Sequence, residues 1–85
     1  MGKISAKKPL KLAEKLLSIR LGLKLSQNEL IRSLGIEDEV TQSQISAFER
    51  GTRVPSLLVL LGYARLAGIS TDVLIDDKAK LRRLE

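Results

Sequence analysis

The residues best arranged to recognise another molecule lie at 41–50, where Thr41, Gln42, Ser43, Gln44, Ser46 and Arg50 are interleaved with Ile45, Ala47, Phe48 and Glu49. At about 100° per residue in a helix, Ile45, Phe48 and Glu49 gather on one side. Ser43, Ser46, Ala47 and Arg50 point the other way, and Gln42 sits at the N-terminal tip. This outer face is small, polar and free of acid. Such a face fits the major groove of duplex DNA, where Gln can pair bidentately with adenine and Ser can donate or accept. A helix N-terminus also favours a nearby phosphate.

For other kinds of chemistry the chain is short of reagents. It has no His and no Cys, which removes disulfides, thiolate and imidazole metal sites, and every nucleophile–histidine mechanism. Glu37, Asp38 and Glu39 are adjacent but lack the glycine-punctuated spacing of a calcium loop. No glycine-rich phosphate cradle is present. A binding protein is therefore expected, with no enzymatic activity, no metal and no cofactor. The net charge of +5 and a pI near 9.9 favour a polyanionic partner, nucleic acid ahead of an anionic membrane surface. No apolar run approaches the ~18 residues that would span a bilayer. Residues 1–11 carry lysines without the apolar segment of a secretory signal. Lack of Cys fits a reducing compartment, so the expected location is cytoplasmic, at the nucleoid.

The elements that must position the 41–50 face follow from periodicity. With 85 residues, 44% of them apolar, the chain is sized for one domain. Leu, Ala, Lys, Glu and Arg outnumber the β-branched and aromatic residues, so an all-α fold is expected. Residues 1–8, with Lys3, Lys7 and Lys8, form a flexible basic arm, and 9–77 form the domain. Residues 78–85 are a basic tail, with Leu81 and Leu84 at helical spacing.

Five helices are expected within this frame. Pro9 suits the first position of helix one, which carries Leu12, Leu16, Ile19 and Leu23 on one stripe. Arg20 lies beside that stripe and needs a carboxylate partner, because an unpaired charge there is costly. Ser26 and Glu29 form a capping box for a helix ending at Gly35; Thr41 and Gln44 form another for a helix ending at Gly51, with Val40 and Ile45 as its hydrophobic staple. A fourth helix runs from Pro55–Ser56 to Ala67, and a short fifth follows the caps at 70–72. The fourth has an apparent core stripe of Leu57, Leu60, Leu61, Ala64 and Ala67. A second stripe holds Val59, Tyr63 and Leu66, with Leu58 and Gly62 beside it. Either the last helix or the Leu81/Leu84 tail covers this second stripe, or Leu58, Val59, Gly62, Tyr63 and Leu66 form a homodimer face.

The ordered set Arg20, Ser26-Gln27-x-Glu29-Leu30, Ile45-Ser46-x-Phe48-Glu49-Arg50-Gly51-x-Arg53-x-Pro55-Ser56, Tyr63-Ala64, Leu66-Ala67-Gly68-Ile69-Ser70 and Asp72-x-Leu74 resembles the phage-repressor/Cro-like (XRE) helix-turn-helix family. The resemblance implies a lambda-repressor-like five-helix bundle that binds double-stranded DNA and regulates transcription as a repressor by occupying its operator, as a homodimer. It further implies that Gln42, Ser43 and Ala47 face bases. Thr41 and Gln27 would contact phosphate, with Arg50 and Arg53 on the backbone, and Arg20 would pair with Glu49. Ser46 joins the base-facing set from its place on the outer face. Two departures stand out: a longer turn carrying Glu37, Asp38 and Glu39, and Ile31 where the family usually has alanine. The acidic turn leaves an alternative, a helix-turn-helix used for contact with a protein partner such as a toxin or regulator.

Overall fold

Residues at the helix ends determine where each helix begins and stops. The computed structural model describes residues 11–81; the arm at 1–8, the expected start at Pro9, and Arg82, Arg83 and Leu84 of the tail lie outside the described residues. Among the described residues there are five helices: α1 (Leu12–Gly22), α2 (Gln27–Leu34), α3 (Gln42–Arg50), α4 (Leu57–Ala67) and α5 (Thr71–Ile75). Both capping boxes form. The Glu29 amide donates to Ser26 Oγ at 3.0 Å and the Ser26 amide to Glu29 Oε1 at 2.8 Å. At α3 the Gln44 amide donates to Thr41 Oγ1 at 3.3 Å and the Thr41 amide to Gln44 Oε1 at 2.9 Å. Ser56 caps α4 through the Val59 amide.

Helices α2, α3 and α4 stop at left-handed glycines, as expected, whereas α1 stops in the same way without one. Lys24 takes φ 62°, its amide bonding Leu21 O at 3.0 Å and that of Leu25 bonding Arg20 O at 3.1 Å. This is the crossed pair of bonds of a Schellman stop, formed by a residue with a β-carbon, for which the left-handed region costs ~1–2 kcal/mol.

The core joins Leu12, Leu16 and Ile19 of α1 to Leu30 and Ile31, to Ile45 and Phe48, to Val59, Leu60, Tyr63 and Ala64, and to Leu74. Helix α1 packs on α3, α4 and α5, while α2 lies against α3 and α4. The turn between α2 and α3 is compact. The amides of Glu39 and Val40 both donate to Ile36 O, at 2.9 and 3.0 Å. Val40 is buried and Ile36 packs on the core, as does the bulky Ile31. The longer turn is thus pinned at both ends, and Glu37, Asp38 and Glu39 are exposed.

Three expectations about packing are corrected. Helix α4 buries a face centred between the two stripes: Val59, Leu60, Tyr63 and Ala64 are inside, Leu66 is partly buried against the core, and Leu57 is exposed at the helix start. A β-carbon on Gly62 would sit 3.2 Å from Leu34 Cδ2, so this glycine admits α2. Of the proposed dimer face only Leu58 remains open, 76% exposed beside Leu57 at 71%. The described part of the tail is not helical, although Leu81 packs on the core. Lys15, within the α1 stripe, is buried. Its ammonium donates to the carbonyls of Val73, Asp76 and Ala79 at 2.6, 2.9 and 2.9 Å, clamping the C-terminal segment onto α1.

Candidate nucleic-acid interface

The reading surface rests on an ion pair beneath it. Arg20 from α1 donates through Nε to Glu49 Oε2 at 2.7 Å and through Nη2 to Oε1 at 3.0 Å. The two side chains are only 14% and 5% exposed. A third donor, Nη1, holds Leu25 O at 2.9 Å. The hydrogen bond to Glu49 raises the Arg20 pKa, outweighing the desolvation that opposes it. The carboxylate partner that Arg20 requires is therefore Glu49, and the pair ties the last turn of α3 to α1.

Above the pair lies an open concavity of about 460 Å³ lined by Gln27, Thr41, Gln42, Ser43, Ser46 and Arg50. These are the first residue of α2, the cap of α3 and the outer face of α3. No acidic side chain lines it. Six of the eight residues expected to meet DNA converge there. Arg50 Nη1 donates to Ser46 Oγ at 2.6 Å, which draws the guanidinium onto the groove side and leaves the Ser46 proton free to donate.

Two of the eight lie elsewhere. Arg53 is exposed on the loop after α3, outside the concavity. Ala47 is 8% exposed, which corrects its placement on the outer face. It sits at the edge of that face, and the chain leaving α3 folds back onto its turn. The Thr52 amide and hydroxyl both donate to Ala47 O, at 3.0 and 3.3 Å. The last turn also lies close to α1, where a β-carbon on Gly51 would be 3.5 Å from Ala13 Cβ.

One link in the site went unanticipated. Gln27 Nε2 donates to Glu49 Oε1 at 3.1 Å, and Gln42 Nε2 donates to Gln27 Oε1 at 3.1 Å. A signal for it exists in the sequence: Ser26-Gln27 and Thr41-Gln42 put glutamine at the first position of both helices, directly after the cap.

Among the described residues no group of His, Cys, Asp and Glu could hold a metal ion. No helix there is long and apolar enough to cross a membrane. No curated protein and no solved structure matches the chain. A family model described as Helix-turn-helix matches residues 11–74, which contain all five helices except the last residue of α5. The paired caps, the α2–turn–α3 unit and the Arg20–Glu49 pair beneath its outer face agree with that match, and the chain belongs to the phage-repressor/Cro-like (XRE) helix-turn-helix family of DNA-binding regulators.

Proposed function

We propose that this protein represses transcription by occupying an operator in double-stranded DNA, with α3 in the major groove. The observation that carries the proposal is the acid-free concavity in which Gln27, Thr41, Gln42, Ser43, Ser46 and Arg50 meet. Gln42 and Ser43 read base edges there, and Ser46 presents its hydroxyl beside them. Thr41, Gln27, Arg50 and Arg53 hold the phosphates that set the register of α3 on the duplex. The protein acts as a homodimer, its second copy meeting Leu57, Leu58 and Val54 at the start of α4. These side chains are 71, 76 and 46% exposed, which amounts to about 300 Å² of apolar surface at the usual areas for such side chains. A standard interface takes ~800 Å² from each partner, so the copies pair only when DNA holds them side by side.

Selection of bound sites from random duplex DNA tests the proposal. Enrichment of an inverted repeat is the expected result, and no enrichment refutes sequence-specific operator binding. On the selected site log K should fall with log salt at about −0.9 per phosphate contacted. Arg53→Ala should weaken all sequences alike and make that slope shallower. Leu58→Gln should bind a single half-site as the parent does and lose the extra affinity for the paired site.

A further inference from the structure

We infer that Gln27 and Glu49 are positioning residues that lock the amide of Gln42 in one orientation, so that Gln42 accepts adenine and rejects guanine. The inference rests on the proposed reading role of Gln42 and adds the device that sets its preference. It follows from the donor and acceptor inventory of four side chains.

The Glu49 carboxylate can only accept, and Oε1 already accepts from Arg20. Gln27 lies 3.1 Å from the same oxygen, so the Gln27 end facing it must be the amide nitrogen. Turning that amide over would set a carbonyl oxygen against a carboxylate. The Gln27 oxygen is thereby forced toward Gln42, and only the Gln42 nitrogen can donate to it, at 3.1 Å. The charge of the buried pair has passed its polarity along two neutral amides to the surface.

Gln42 is left with one free N–H and its carbonyl oxygen. Adenine offers N7 as an acceptor and N6 as a donor, which satisfies both. Guanine offers two acceptors, N7 and O6. A freely rotating glutamine can serve guanine with both of its N–H groups, but here one is already committed to Gln27. The fixed oxygen of Gln42 would then face an acceptor. In the free protein the exposed Gln27–Gln42 bond competes with water; under a DNA base water is excluded and the bond strengthens.

The test measures affinity for four duplexes that differ only at the base met by Gln42, using the whole chain as wild type, Gln27→Met, Gln42→Ala and the double variant. Methionine keeps the length of Gln27 and removes the relay. Gln27→Met is expected to reduce the adenine-over-guanine ratio about fivefold to tenfold, the scale of one base-edge hydrogen bond. The double variant should then match Gln42→Ala, because the effect passes through Gln42. Equal weakening of all four duplexes, with the ratio intact, overturns the inference and leaves Gln27 as a phosphate contact. If Gln42→Ala itself changes no ratio, the reading role fails as well, a distinguishable result. Should Gln27→Met melt early, ¹⁵N spectra of the wild-type protein provide the second measurement. The Gln42 side-chain N–H pair should show one proton protected from exchange on the DNA complex, and equal exchange of both overturns the relay.

Discussion

Glu49→Gln is the sharpest test of the architecture, because it changes one oxygen to nitrogen without changing shape. The carboxylate accepts three donors: Arg20 Nε at 2.7 Å, Arg20 Nη2 at 3.0 Å and Gln27 Nε2 at 3.1 Å. An amide keeps one acceptor and turns a donor toward the remaining donors, leaving Arg20 charged and largely buried. Stranding one partner of a buried pair typically costs ~3–5 kcal/mol. Arg20 retains its bond to Leu25 O, which places the expected loss near the lower end, about 3 kcal/mol. A domain of this length holds only about 4–13 kcal/mol in total. At ~4–8 °C per kcal/mol, the melting midpoint followed by circular dichroism at 222 nm should drop by roughly 12–24 °C. Replacing both partners with Met should cost much less than the two single changes summed, since no charge is stranded. A Glu49→Gln loss below ~1 kcal/mol would place the pair in the surface class and refute its role as the keystone under α3.

Four more outcomes follow from single features. Lys15→Met leaves three carbonyls without their cation and should cost about 2 kcal/mol, with amide exchange accelerating over 73–79; a loss under ~0.5 kcal/mol would refute the clamp. Lys24→Gly should stabilise by about 1 kcal/mol in urea unfolding, because it relieves a left-handed β-carbon residue; destabilisation would refute the assigned strain. The Tyr63 hydroxyl is buried without a hydrogen-bond partner among the described residues, so Tyr63→Phe should be neutral or stabilise by up to ~1 kcal/mol at pH 7. Burial also raises the Tyr63 pKa, so the unfolded chain ionises first and wild-type stability should fall as pH rises above 10, a limb that the Phe variant lacks. Neutralising Glu37, Asp38 and Glu39 together to Gln, Asn and Gln should tighten binding to arbitrary duplex DNA and scarcely move the melting point, as all three are exposed; unchanged affinity would place the turn away from phosphate.

Helix ends were the most legible part of the sequence because they are local. Ser26 with Glu29 and Thr41 with Gln44 satisfy each other within one turn, so spacing alone predicts both boxes. Gly35, Gly51 and Gly68 are equally plain. The Arg20–Glu49 pair was legible for a different reason. A charge at the edge of an apolar stripe has to be answered somewhere, and the inner face of α3 offers a carboxylate.

What escaped prediction depends on partners that have no signature. The acceptors of Lys15 are backbone carbonyls 58 to 64 residues away, and any residue type supplies a carbonyl. Nothing in the spelling of α1 therefore distinguishes a clamp from a lysine bound for solvent. Helix α4 shows the converse difficulty. With apolar residues almost all round, it has no polar side to set its phase, and only contact with Leu34 and the other helices selects Val59 and Tyr63 over Leu57. The amide relay is the most instructive case. Gln27 and Gln42 are neutral, half-buried or exposed, and 15 residues apart, so neither charge nor periodicity marks them. Their order is imposed by Glu49, which must accept; the polarity of each amide then follows in turn. A residue buried for stability thereby also constrains what the surface can present to a base, and the two roles separate by measurement: Glu49→Gln perturbs both the melting point and the base ratio, whereas Gln27→Met should perturb the ratio alone.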